Sequence, residues 1–235
     1  MSEIYNCKNS GDVYGGPGTN NQDVGGIVGE LTDGSKITCS CNTGNVSGGN
    51  YIAGIAAYIC ANCIIKNTYN IGNVTGRNYV GGIGASYVDS NATIDSCFSL
   101  SSITGIEYVG GILGYADYNG IVSNCYYDGT VSRVSGSNIY FAGIVGYDSG
   151  IAKLVNCFAT TDTEVLGSPL TTTSQLFAGS SLTPYENNHV FDVAQLAANG
   201  YDTVIKGAAW GSGSTWSDEN VWKHYNDKLP ELVMK

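Results

Sequence analysis

The sequence predicts an all-β solenoid in which each repeat forms one β-coil, closed at its C-terminal end by a cap that contains a short helix. Three observations carry this reading. Five segments align on a Gly-Ile pair, VGGIVG (24–29), IAGIAA (52–57), VGGIGA (80–85), VGGILG (109–114) and FAGIVG (141–146), and the second glycines step by 28, 28, 29 and 32 residues. Between the glycines the residues are β-branched and aromatic, with no helical spacing. After about residue 162 the period fades, and all three tryptophans, Trp210, Trp216 and Trp222, fall in the last 26 residues.

Composition narrows the function. Glycine (33 of 235 residues) is about double ordinary usage while proline is only 4, which indicates close-packed backbone rather than disorder. The formal net charge is −10, and Arg77 and Arg133 are the only arginines. This disfavours phosphate-backbone binding, so no nucleic-acid partner is expected. The longest mainly apolar run, YIAGIAAYIC (51–60), is too short for the roughly 20 residues of a membrane helix, and no membrane insertion is expected. The opening residues, MSEIYNCKNSG, lack the charged and then apolar order of a secretory leader.

Upstream of each Gly-Ile pair lies a second block: CKNSGDV (7–13), SCNTGNV (40–46), TYNIGNV (68–74), CFSLSSI (97–103) and CYYDGTV (125–131), with a fading sixth copy at NCFATTD (156–162). If coils stack at about 4.8 Å, equivalent residues form ladders. Ile27, Ile55, Ile83, Ile112 and Ile144 make one apolar column. Ile37, Ile65, Ile94, Val122 and Leu154 make a second, and Val13, Val46, Val74, Ile103 and Val131 a third. Stacking also explains the glycines. Gly82-Ile83-Gly84 resembles the start of a nucleotide loop, but Tyr87 stands where the third glycine of that fingerprint belongs. The glycines are therefore expected at corners where the next coil approaches closely.

The pattern N-C-[YF]-N-x-G-x-V followed by V-G-G-I-x-G resembles the GLUG-motif repeat of large bacterial surface proteins, including adhesins and non-catalytic regions of some immunoglobulin A peptidases. The resemblance spans residues 4 to about 158. It implies a right-handed parallel β-helix on the bacterial cell surface, as part of a larger secreted protein. It implies no defined ligand. Two departures, Ser101 in place of the block glycine and the longer insert YGGPGTNNQD (14–23), are expected to widen a loop locally. The chain is accordingly divided into repeats over 1–165 and a cap over 166–235. In the cap, DVAQLAANG (192–200) reads as a helix with Asp192 as N-cap, Gln195 completing a capping box and Gly200 as the stop.

Candidate chemistry is sparse. Cys7, Cys97, Cys125 and Cys157 share a column with Ser40 and Thr68, so they read as small buried residues. Cys39, Cys41, Cys60 and Cys63 all fall in the second repeat, where free thiols, disulfides and a metal site are all open. No cofactor is expected. Polysaccharide-cleaving β-helices need carboxylates clustered on one face. Here Asp89, Asp95, Asp117 and Asp128 occupy different repeat positions, and His189 and His224 lie in the tail. No catalytic residue is assigned.

The best binding candidates are Tyr69, Phe98, Tyr126 and Phe158, a ladder that could bind sugar rings or protein or simply stabilise adjacent coils by stacking. They share the column beside the cysteines, so strand alternation points them outward if the thiols face in. The expected function is a non-enzymatic extracellular repeat domain, a monomeric stalk or adhesion surface for a host or matrix protein or a glycan. The alternative is a carbohydrate-active β-helix that binds or cleaves glycans.

Overall fold

A computed structural model of the chain describes residues 1–200 except 17, 19–20, 33, 88–90, 118, 136–139, 150–152 and 180–184. Beyond residue 200 it describes only 222–223, 225, 227–228 and 231–232. Five sheets run side by side along the molecule, built from short strands of successive coils, and they make a parallel β-helix of about six turns. The third coil shows the pattern, with strands Ile64–Lys66, Tyr69–Asn70, Val74–Thr75, Asn78–Gly81 and Gly84–Tyr87. Each pairs in register with its counterpart one repeat later: Ile65 with Ile94, Tyr69 with Phe98, Val74 with Ile103, Val80 with Val109 and Gly84 with Leu113.

The three apolar columns form as expected, and their side chains fill one continuous interior. Ile55, Ile83, Ile112 and Ile144 are fully buried, while Ile27, in the first coil, is half-buried because no coil lies above it among the described residues. The corner before the cysteine column is left-handed at Asn6, Cys39, Asn67, Ser96, Asn124 and Asn156, with φ between 49° and 54°. Asparagine dominates there because it tolerates this conformation best among residues with a side chain. The turn aims Cys97, Cys125 and Cys157 inward, where all three are fully buried.

The glycine corners owe their composition to space. None of Gly26, Gly54, Gly82 or Gly111 has a positive φ. A Cβ on Gly54 would instead collide with the Gly82 carbonyl and the Asn70 side chain, and one on Gly82 with the Gly111 carbonyl and the Ser99 hydroxyl. Those side chains belong to an internal polar ladder. Asn9 Nδ2 donates to Asn42 Oδ1 at 2.8 Å, Asn42 Nδ2 to Asn70 Oδ1 at 2.8 Å, and Asn70 Nδ2 to Ser101 Oγ at 3.1 Å. Ser101 Oγ then meets Ser99 Oγ at 2.7 Å. Ser101 therefore does not act by widening a loop. It terminates the asparagine ladder, supplying the hydroxyl that the last amide needs. One coil on, Tyr127 takes the ladder position and its hydroxyl donates to the Ser101 carbonyl at 2.8 Å.

Parallel stacking does not stop at the expected boundary of 165. Phe177–Gly179 adds to the strand Val145–Asp148, Tyr185–Glu186 to Lys153–Val155, and His189–Phe191 to Phe158–Thr160. The repeat wording fades there, but backbone pairing needs no particular side chain. The helix α1 follows at Val193–Asn199, capped by Asp192, whose carboxylate accepts from the Ala194 amide at 2.8 Å, and stopped at Gly200 with φ 84°. Trp210 and Trp216 lie outside the described residues. Trp222–Lys223 forms a short antiparallel pair with Glu231–Leu232.

Candidate functional site

The expected aromatic column is present as a stack. Tyr69, Phe98, Tyr126 and Phe158 lie with successive ring centroids 4.8, 4.9 and 5.1 Å apart and planes within 16°. The column stands outside the interior cluster that holds the thiols, as alternation requires. It is not an exposed ladder, however. Phe98 is 3% exposed and Tyr126 and Phe158 are 0% exposed, which leaves only Tyr69 half-buried. Alternation fixes the side of a strand on which a residue sits, but not what covers that side.

A second aromatic surface lies on the neighbouring faces of the solenoid. Tyr51, Tyr79, Tyr108 and Tyr140 stack at 4.5, 4.8 and 5.1 Å, each contributed by the residue just before the apolar strand position of its coil. Beside them run Tyr58, Tyr115 and Tyr147, which meet the first column edge to face: Tyr51 with Tyr58 at 5.9 Å, Tyr79 with Tyr115 at 5.6 Å, and Tyr140 with Tyr147 at 4.5 Å. All seven tyrosines are half-buried. The array is a herringbone, parallel within a column and crossed between columns, an arrangement that the ring quadrupole favours.

The local backbone explains how it is built. Tyr51, Tyr79 and Tyr108 have φ of 56°, 58° and 56°, a left-handed conformation that is an outlier for a bulky side chain. Under the rings the floor is made of small residues. Ala53, Ala57 and Ala85 are fully buried and pack against Tyr51 and Tyr79. At Gly114 a Cβ would lie 2.8 Å from the Tyr108 carbonyl and 2.7 Å from the Val80 amide nitrogen, so only glycine lets the two strands close together. Ser86 replaces a tyrosine in the second column, in register between Tyr58 and Tyr115. It is 0% exposed, and its hydroxyl has no hydrogen-bond partner among the described residues.

Carboxylates rim the array. Tyr115 donates to Asp117 Oδ2 at 3.4 Å, and Ser149 Oγ donates to Asp117 Oδ1 at 2.6 Å. Glu107 precedes Tyr108 on its strand, and Glu30 pairs in register with Tyr58. Desolvation, reinforced by neighbouring charges and phenols, pushes the Tyr51 and Tyr108 hydroxyls up to about 12 and Tyr115 higher still. The phenols therefore remain neutral donors at physiological pH. Burial and the nearby Glu30 charge raise Asp23 from its ordinary value.

The other candidates disperse. No disulfide joins any of the eight cysteines, and among the described residues no three His, Cys, Asp or Glu side chains gather as a metal ion requires. Cys41 takes a rung of the buried aromatic column opposite Tyr69, Cys63 packs in the core, and Cys60 approaches Glu30 at 3.7 Å. Asp95 is saturated by Lys66 at 2.9 Å, Ser123 at 2.9 Å and Asn124 at 2.7 Å. Asp128 accepts from Thr160 at 3.1 Å, while Asp89 and His224 lie outside the described residues. His189 continues the buried aromatic column below Phe158. No helix among the described residues is long and apolar enough to cross a membrane.

Comparison with known proteins agrees with this geometry. Residues 105–132, which carry Tyr108, Tyr115 and one full set of ladder positions, match the family model described as the GLUG motif. A crystal structure of a provisionally named immunoglobulin A1 protease from Bacteroides ovatus superposes with a TM-score of 0.65 at 21% identity. The match covers 99% of this chain and 75% of that one, and it establishes the shared fold. No curated protein matches the chain.

Proposed function

We propose that this chain, a GLUG-motif repeat protein folded as a parallel β-helix, is a non-enzymatic extracellular domain of a bacterial cell-surface protein that presents an adhesion surface on a stiff stalk. The observation that carries the reading is the tyrosine array. Four successive coils place a tyrosine at one corner, three of them in a backbone conformation that costs a bulky residue of order 1–3 kcal/mol. The interior columns need no such residue there. Strain repeated in register on a half-exposed face is what an interaction surface requires, and stacking offsets its cost. The unbroken ladders supply the stiffness.

The test is retention of the purified chain on plates coated with serum and matrix glycoproteins, compared with a Tyr79→Leu/Tyr108→Leu variant. Saturable retention that the double substitution abolishes is expected, with no fragments released from coated immunoglobulin A1. Retention indifferent to the tyrosines, or immunoglobulin cleavage, contradicts the reading.

A further inference from the structure

The buried aromatic column and the tyrosine array differ in the chemistry they support. In the buried column tyrosine alternates with phenylalanine, in the order Tyr69, Phe98, Tyr126 and Phe158, so no two phenols in it are adjacent. In the array every neighbour is another phenol. Tyr51, Tyr79, Tyr108 and Tyr140 follow one another at 4.5, 4.8 and 5.1 Å with planes within 11°. Phenylalanine serves a stack as well as tyrosine does. A phenol, unlike a phenyl ring, readily gives up one electron and one proton to become a phenoxyl radical, and two such radicals in contact couple.

The geometry brings the reacting atoms together. Adjacent rings sit on in-register parallel strands, Val80 opposite Ile52 and Val109 opposite Val80, and their planes are nearly parallel, so each ring is close to a translated copy of the next. Carbons ortho to the hydroxyl are then about as far apart as the centroids, 4.5 Å for Tyr51 and Tyr79, and both half-buried rings have solvent on one side into which to swing. Crossed contacts join Tyr58, Tyr115 and Tyr147 to the column at 5.9, 5.6 and 4.5 Å, so a radical on any of the seven rings touches another phenol. Tyr115 donates to Asp117 Oδ2 at 3.4 Å, which places a carboxylate to take the proton as the electron leaves.

We propose that the array is a site of oxidative modification, at which tyrosines of successive coils are joined ortho carbon to ortho carbon as dityrosine, Tyr51 with Tyr79 first. Each phenol gives one electron and one proton to a one-electron oxidant, a peroxide-activated haem. The two radicals form one C–C bond, and each coupled carbon passes its hydrogen to its own oxygen, restoring two phenols. One peroxide takes up the two electrons and two protons and leaves as two waters. Tyr51 and Tyr79 are 28 residues apart in the chain, so the link closes a loop and staples one coil to the next. The inference does not depend on a ligand at this face.

The experiment uses the whole chain, its reachable thiols alkylated, with photo-oxidised tris(bipyridyl)ruthenium as a small one-electron oxidant and persulfate as the electron acceptor. Dityrosine is read by its fluorescence, the product's size by chromatography, and the linked residues by peptide mass mapping. The expected main product is a monomer that has lost two hydrogens, with Tyr51 linked to Tyr79. Tyr51→Phe/Tyr108→Phe keeps every ring in the stack but leaves no adjacent phenols in that column, and is expected to lower the dityrosine yield several-fold. Tyr5→Phe/Tyr14→Phe alters the two exposed tyrosines of the first coil and is expected to leave the yield unchanged.

Equal yields from the two variants would mean that exposure, not stacking, selects the reacting phenols, and would overturn the proposal. Links between chains as the main product, or links chiefly at Tyr5 or Tyr14, overturn it as well. If the array variant does not fold, the unsubstituted chain is mapped in native buffer and unfolded in urea. The preference for Tyr51 with Tyr79 is expected only in the native chain, and the same map in both sinks the idea. The linked monomer is also expected to unfold at a higher urea concentration than the unreacted chain, and an unchanged or lower midpoint contradicts the staple.

Discussion

Replacing Asn70 with leucine tests the internal ladder that holds successive coils in register. Asn70 is fully buried and makes three hydrogen bonds through its amide: Nδ2 donates to the Gly72 carbonyl at 2.8 Å and to Ser101 Oγ at 3.1 Å, and Oδ1 accepts from Asn42 Nδ2 at 2.8 Å. Leucine makes none of them. Ser101 keeps its contact with Ser99, and Asn42 keeps its bond to the Gly44 carbonyl at 2.7 Å. One N–H of Asn42 and the Gly72 carbonyl lose their ladder partner inside the protein. Each such orphan costs about 1–3 kcal/mol, so the variant is expected to lose about 2–6 kcal/mol. Asn45→Leu is the control, because Asn45 is exposed and offers its Oδ1 to the Asn73 amide at 3.1 Å from a solvated rung. It is expected to cost under about 1 kcal/mol. Urea denaturation measures both, read as a shift in midpoint at constant slope. If Asn70→Leu unfolds at the same urea concentration as Asn45→Leu, the buried amide ladder does not hold the coils and the reasoning fails.

Further perturbations probe other parts of the fold. Gly82→Ala forces a methyl into the Gly111 carbonyl and is expected to cost about 2–3 kcal/mol, whereas Gly11→Ala, whose Cβ meets nothing nearer than 3.8 Å, is expected to be near neutral by thermal melting. In the native state Cys97, Cys125 and Cys157 are expected to resist alkylation while the exposed Cys7 labels within minutes, as mass spectrometry of trapped peptides would show. Burial raises the Cys125 and Cys157 thiols above their ordinary 9.0 and the Tyr51 and Tyr108 phenols from 10.0 to about 12. The folded chain therefore holds protons that the unfolded chain releases, so stability is full below about pH 9 and is expected to fall as pH rises toward 12 in urea titrations.

Much of this architecture was legible because solenoid stacking converts sequence period directly into contact. Ile65 and Ile94 are 29 residues apart and directly opposed, and the same holds for Val74 and Ile103. The glycine corners were placed correctly and for the right broad reason, close approach. Their partner, the asparagine ladder, was hidden inside the N-x-G wording, because nothing in the spacing tells a buried amide from a turn amide. The aromatic column of Tyr69, Phe98, Tyr126 and Phe158 was assigned to the correct side of its strand and wrongly expected to be exposed.

The tyrosine array was missed although its signal is plain in hindsight. NYIAG, NYVGG, EYVGG and IYFAG each put a tyrosine three residues before the aligned glycine. Propensity gives no reason to expect tyrosine at positive φ, so these residues read as ordinary strand. Past residue 165, Tyr185 and His189 continue the ladders without the repeat's vocabulary, so spacing alone does not reveal them.

The most direct test of the account is a tyrosine-nitration footprint of the whole native chain. The half-buried Tyr79, Tyr108 and Tyr115 are expected to react while the fully buried Tyr126 and Tyr127 do not. Nitration of Tyr126 as fast as Tyr108 would contradict it.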